Sequence, residues 1–243
     1  MNPPPNPPAE HLDPTDNRIS WDNAYTVELT NHASNADDEG TIWFSDASAE
    51  ERIIAHLEDL SDTEILHKDT TSFLDLGTGN GHLLFALRGE EWQGKMLGVD
   101  YSAASMKLAR RIGKTHQEHN EEFLGVEFEE WDILNEKPGT WLEEGFDVVL
   151  DKGTFDAISL SDQIDDQGRR VCEGYKERVE PLIKPGGRLL VTSCNWTNEE
   201  LRAWFEVESG QLEFEAGIKY PNFTFGGKTG QQVCTLSFKR KSR

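Results

Sequence analysis

The sequence predicts an α/β fold: a doubly wound, mostly parallel seven-stranded sheet closed by an antiparallel C-terminal hairpin. Three observations carry this. Phe73-Leu74-Asp75-Leu76 is an apolar run that ends at Gly77, Gly79 and Gly81 and leads into an amphipathic segment, 83–87. That is the signature of a buried strand, a tight loop and a helix start. From Phe73 onward, strand-like and helix-like segments alternate, which calls for a parallel sheet with helices on both faces. Near the end, 212–220 and 232–238 are strand-like runs joined by a loop containing Phe225-Gly226-Gly227-Lys228. Neighbouring strands without a helix between them form a hairpin. With 243 residues the chain can bury one full core.

In chain order, residues 1–17 hold six of the ten prolines and almost no apolar side chains, and read as a disordered, polyproline-like tail. Residues 18–71 read as a cover segment ahead of a 72–243 core. Within the cover, Trp21, Tyr25 and Leu29 recur at helical spacing, so 19–29 reads as a short helix, followed by a polar, acidic loop over 31–40. Gly40-Thr41-Ile42-Trp43-Phe44 then sets large apolar residues in polar surroundings. Ser48-Ala49-Glu50-Glu51 reads as a capping box opening a helix with Ile53, Ile54, Leu57 and Leu60 on one face. Strands read at 72–76, 95–100, 125–131, 146–151 and 187–194, with helices at 81–89, 102–119 and 167–182. Thr197-Asn198-Glu199-Glu200 is a second capping box, ahead of Leu201, Trp204 and Phe205.

In an open parallel sheet, ligands lie across the C-terminal strand ends, near the point where strand order reverses. The first such end holds Asp75 and the loop Gly77-Thr78-Gly79-Asn80-Gly81. A dinucleotide fingerprint would place its third glycine where His82 stands. A carboxylate beside the loop repels a pyrophosphate and attracts a cationic, amino-bearing ligand. S-adenosylmethionine, with its sulfonium and α-ammonium, meets that demand. The second strand ends at Asp100, 25 residues after Asp75, where an acid accepts hydrogen bonds from both ribose hydroxyls. Ser102, two residues on and ahead of Ala104, Leu108 and Ile112, reads as the cap of the next helix. At the third end, Glu130-Trp131-Asp132-Ile133, Asp132 is either an acceptor for an adenine amino group or a turn residue. The fourth end runs Asp151-Lys152-Gly153-Thr154-Phe155-Asp156, two acids and a glycine at the edge nearest a transferable methyl, with Lys152 read as structural. The fifth, Ser193-Cys194-Asn195-Trp196, offers polar and aromatic groups for the acceptor side.

Composition narrows the classes. The net charge of −21 opposes nucleic-acid phosphates and anionic membranes and favours a basic partner. No apolar run approaches the roughly 20 residues that span a bilayer, and MNPPPNPPAEH lacks the regions of a secretory signal. Cys172, Cys194 and Cys234 are odd in number and far apart, which argues against a disulfide framework or a zinc site and for a reducing compartment. His116 and His119 read as a solvated helix face, with no metal expected. No heptad run suggests assembly, so a monomer is expected. The basic tail Lys239-Arg240-Lys241 with Arg243 leaves nuclear entry open.

The stretches WDNAY, GTIWF, FLDLGTGNG, GVDYS, DKGTFDAISL, TSCNWT and FTFGGKTGQQV run from Trp21 to Val233. Together they resemble the seven-strand protein-lysine methyltransferases that act on translation elongation factor 1-alpha. The resemblance implies a Rossmann-like class I methyltransferase fold and methyl transfer from S-adenosylmethionine to a lysine of that factor, in the cytoplasm. It also implies that Trp43 and Phe44 fold back over the cofactor. The cofactor set is then Trp43, Asp75, Gly77, Thr78, Gly79, Asn80, Gly81, Asp100, Tyr101, Ser102, Asp132, Ile133 and Asp151. On the acceptor side, Asp151 is expected to orient the amine or the cofactor, with Asn195 beside it. Phe155 and Trp196 are expected to wall a lysine channel through cation–π contact, with core packing as the alternative for each, and Phe225 reads equally well as channel wall or core residue. Three alternatives stand beside this one: a different protein or small-molecule acceptor, a dinucleotide-dependent oxidoreductase, and a non-catalytic acidic adaptor for a basic partner.

Overall fold

The structure, a computed structural model, describes residues 17–119, 125–207, 210–221, 223–225, 228–230 and 232–242. The proline-rich stretch 1–16 lies outside the described residues. Seven strands form one sheet in the order β3-β2-β1-β4-β5-β9-β6. Five of them are parallel: β1 (Phe73–Leu76), β2 (Met96–Asp100), β3 (Val126–Glu130), β4 (Phe146–Lys152) and β5 (Ile183–Ser193). The last strand, β9 (Cys234–Arg240), runs antiparallel to both β5 and β6 (Leu212–Ile218). The chain winds outward from β1 through β2 to β3, then returns to the other side of β1 as β4. The reversal between β1 and β4 opens a crevice at their C-terminal ends.

Alternation along the strands divides the core. Leu74, Leu76 and Val149 join Phe155, Tyr175, Leu201 and Phe205 on one face. Phe73, Val148 and Leu150 join Ile53, Leu57, Leu84 and Met106 on the other. Both faces of β1 are covered, so all four of its residues are buried, as a central parallel strand requires. The helices on these faces include α2 (Ala49–Asp62), α3 (His82–Gly89), α4 (Ala103–His119), α5 (Thr154–Ser159), α6 (Tyr175–Val179) and α7 (Asn198–Phe205). The small hairpin of β7 (Phe223–Phe225) and β8 (Lys228–Gly230) forms a separate sheet. Gly226 and Gly227 lie outside the described residues.

The sheet, its direction and its closing antiparallel pair match the expected fold, and four local expectations change. The first helix, α1 (Asn17–Ser34), runs five residues past Leu29 and lies against α4. Ser48 does not cap α2: it sits at φ 52 with no side-chain cap bond, whereas a capping residue takes the extended region; Glu50, in the first turn, points inward to His82 and Lys152. The expected helix 167–182 breaks into a 3-10 turn, the short α6 and a second 3-10 turn containing Pro181. β5 starts at Ile183 rather than 187, with a bulge opposite 146–148 absorbing Pro185 and Gly186. Thr197 does form its box, accepting from the Glu200 amide while the Glu200 carboxylate accepts from the Thr197 amide.

Candidate active site

The crevice between β1 and β4 holds a cavity of about 260 Å³. Its floor is the glycine loop. Gly77 and Gly79 sit at φ 63 and φ 58, in the left-handed region that glycine enters without strain. A Cβ on Gly77 would lie 2.1 Å from Thr154 Oγ1, and one on Gly79 would lie 2.7 Å from the Tyr25 hydroxyl. The bare backbone is therefore a cradle that no other residue could form. A smaller recess continues from the cavity past Gly77 to Asp75, Thr78, Gly79 and Asn80. Gly81 does not reach either wall; it sits at φ 82 as the N-cap of α3.

Asp100, at the end of β2, faces the cavity and is held from behind. The Gly79 and Ser102 amides donate to its two oxygens at 3.2 and 3.0 Å. Ser102 itself turns away: its hydroxyl accepts from the Ser105 amide and caps α4. Burial pushes the Asp100 carboxyl up to about 6 and the Asp75 carboxyl up to about 7. Two buried acids at one crevice disfavour an anionic ligand and favour a cationic one.

Asp132 and Ile133 line the far wall, after β3. Asp132 is both a turn residue and a cavity residue: it accepts from the Leu134 amide at 2.9 Å, from Asn135 at 2.7 Å and from Arg18 at 2.7 Å. Burial would raise its pKa, but those donors outweigh burial and hold it low.

The cover contributes a third wall. From α1 come Arg18, Trp21 and Tyr25, and from the following loop Trp43 and Phe44. Arg18 lies 4.1 Å over the Tyr101 ring, whose hydroxyl donates to the Arg18 carbonyl at 2.9 Å. Trp21 meets Trp43 edge to face at 4.8 Å, and the buried Trp21 Nε1 has no hydrogen-bond partner. Asn80 donates to the Glu39 carbonyl at 2.9 Å and ties the loop down. Lys152 binds the Trp43 carbonyl at 3.1 Å and Glu50 at 3.3 Å.

The acceptor side is the part most revised. Asp151 does not face the cavity. It is 1% exposed, and its oxygens accept from the Thr154 and Phe155 amides and from the Tyr175 hydroxyl at 2.7 Å. It anchors α5 instead. Phe155 is 1% exposed and packs on Tyr175, Trp204 and Phe205. Trp196 stacks on Phe155 and donates to Ser159 at 3.2 Å, away from the cavity. The side chain of Phe225 lies outside the described residues. The acid that does face the cavity is Asp156, beside Cys194 and Asn195. Its oxygens accept from the Ser193 hydroxyl at 2.5 Å and the Cys194 amide at 2.7 Å, and burial raises its carboxyl. Sequence reasoning also left out Arg18, Trp21, Tyr25 and Thr154. Only the Trp21–Tyr25 spacing hinted at them, and it reads equally well as core packing. His116 pairs with Glu39 at 2.6 Å and stacks on Phe85.

A seven-stranded sheet with this reversal, an acid-flanked glycine cradle and a buried acid on the second strand defines a class I methyltransferase. Residues 67–234 match a methyltransferase-domain family model. The fold is shared with the N-methyltransferase NodS of Bradyrhizobium japonicum WM9, solved with S-adenosyl-L-homocysteine (TM-score 0.54, 14% identity, 89% of this chain and 98% of that one). It is shared too with the [4+2]-cyclase SpnF (TM-score 0.58, 13% identity, 96% and 98%). In sequence the chain is 40% identical to the protein-lysine N-methyltransferase EFM4 of Saccharomyces cerevisiae, over 91% of this chain and 93% of that one. It is 34% identical to the human EEF1A lysine methyltransferase 2, over 92% and 85%. The chain belongs to this family of protein-lysine N-methyltransferases.

Proposed function

We propose that this protein transfers a methyl group from S-adenosylmethionine to a lysine side chain of translation elongation factor 1-alpha. The observation that carries the chemistry is the pairing, in one cavity, of a cradle for a cationic, sugar-linked ligand with a separate acid, Asp156, on α5. The residues present fit the cofactor. Asp100 would take the ribose hydroxyls, Asp132 and Ile133 the adenine, and Gly77 and Gly79 the backbone-close portion, with Asp75 and Lys152 toward the amino-acid end. The unpartnered Trp21 Nε1 supplies a further donor. When bound, the cofactor supplies the electrophilic methyl carbon.

The chain's own residues must present a neutral amine. A lysine of pKa about 10.4 pays roughly 4.6 kcal/mol to lose its proton at neutral pH. A buried wall lowers that cost. The Asp156 carboxylate, raised by its own burial, accepts a hydrogen bond from the amine and aims its lone pair. Asn195 offers a second polar group at the same wall. The remainder comes from alignment in a water-poor space. The choice of acceptor rests on the names of the relatives at 34–40% identity. The same view puts the enzyme in the cytoplasm, where Cys172, Cys194 and Cys234 stay as free thiols.

The test is mass spectrometry of the elongation factor after incubation with the protein and labelled S-adenosylmethionine. A methylated lysine on the factor is the expected result. Transfer to a different acceptor overturns the substrate, and NADH binding without affinity for S-adenosylmethionine overturns the class.

A further inference from the structure

Seven large apolar side chains are exposed among the described residues, and three of them concern the active-site cavity or the loop beside it. Trp43 (37% exposed) and Leu160 (48%) both line the cavity, and Ile164 (58%) stands four residues beyond Leu160. Single exposed apolar residues need no explanation, but two in the lining of one cavity, with a third on the loop that leaves it, suit a surface that another molecule covers.

The loop bearing Leu160 and Ile164 is also stiffly built. The Asp165 carboxylate accepts from the Gln167 and Arg169 amides, both at 2.9 Å, and from Arg169 Nε at 3.1 Å. Ile164 pairs with Arg170 in an isolated bridge, and Arg170 donates to the carbonyls of Ser159 and Ser161. The loop is therefore fastened to the end of α5 at Ser159, three residues beyond the cavity acid Asp156. Around its apolar tip the charge is negative. Asp162 and Asp166 are exposed, whereas Arg169 is engaged by Asp165 and Glu177.

We propose that this ridge, Leu160 and Ile164 framed by Asp162 and Asp166, docks the protein substrate beside its target lysine. This rests on the acceptor proposed above. The occupant is a folded, basic protein surface with an apolar spot next to the lysine. Charge complementarity favours it: the whole chain carries −21, and the target side chain is itself a cation. A rigid apolar anchor inside an acidic rim gives residence through the anchor and fast encounter through the charges.

The test compares the parent with Ile164→Ser, which lies outside the cavity lining. Steady-state methylation of elongation factor 1-alpha should show KM raised about tenfold, with kcat within twofold and S-adenosylmethionine affinity unchanged. Asp162→Lys/Asp166→Lys should weaken binding at low salt and lose that effect at high salt. An unchanged KM in Ile164→Ser overturns the ridge, as does a parallel loss of cofactor affinity, which would make the loop part of the cofactor site. Direct binding of parent and variant to the factor is measured alongside. If the parent transfers no methyl, the acceptor assignment fails by itself, and equal affinities of parent and variant still overturn the ridge.

Discussion

The Lys152 ammonium lies 3.3 Å from the Glu50 carboxylate, and the two join the first turn of α2 to the end of β4. Glu50 also meets His82 at 2.6 Å. Burial works to raise Glu50, but the His82 bond and the Lys152 charge outweigh it and leave the carboxyl lowered. Lys152, read from sequence as structural, thus holds the cover with one hand and reaches the cofactor recess with the other.

The first prediction concerns Asp100. Hydrogen bonds to a charged acceptor contribute about 1.5–3 kcal/mol. Asp100→Asn should weaken S-adenosylmethionine binding roughly 10–100-fold while the fold persists, because the amide keeps one acceptor oxygen for Gly79 or Ser102. Titration calorimetry reads it directly.

A second follows from the raised carboxyls. Asp75 and Asp100 titrate at about 7 and about 6 in the folded chain, against an unfolded value near 3.9. The folded chain therefore binds more protons than the unfolded one between about pH 4 and 7, and stability falls as pH rises through that window. A cationic ligand favours the carboxylates, so its binding should tighten as pH rises from about 5 to 7 and release protons. Calorimetry in buffers of different ionisation enthalpy measures the count. Proton uptake over that range would contradict this account.

A third separates two neighbouring acids. Asp156→Asn should lower kcat by 10-fold or more and leave cofactor affinity within twofold, because Asp156 stands on the acceptor wall. Asp151→Asn should act on the fold, since it leaves an amide or the Tyr175 hydroxyl without its acceptor. The cost is about 2 kcal/mol, roughly 4–8 °C in Tm for a chain of this size. Thermal melts and single-turnover rates together distinguish them.

Much of this site was legible in the sequence. A short apolar run and the glycine spacing revealed β1 and its loop, and the 25-residue step placed Asp100 at the next strand end. The choice between Asp151 and Asp156 was hidden because it depends on how α5 leaves β4. Asp151 turns back to cap the helix, and its third residue, Asp156, comes round to the cavity. The spacing of Trp21 and Tyr25 says that they share a face, not that the face covers a ligand. Ser48 fails as a cap because the chain enters α2 through the left-handed region, where its side chain makes no cap bond, and a sequence pattern does not show that entry.

The fourth prediction tests the cover. Arg18 adds a contact to Asp132 and another to the Tyr101 ring. Arg18→Ala should weaken cofactor binding roughly 3–10-fold with little change in Tm, because the pair is partly solvated and lies outside both apolar cores. Equal affinities would show that the cover does not contribute to holding the cofactor.

The position of β9 carries one more consequence, for the order of events on the ribosome. β9 is made after every other strand of the sheet, yet it lies inside the sheet, as the sole bridge between β5 and β6. A nascent chain can pair β1 to β5 as they emerge, but β6 has nothing to zip against until 234–240 has cleared the exit tunnel. Translation stalled before that point leaves an open β5 edge, the kind of surface that chaperones shield and that invites strand exchange between chains.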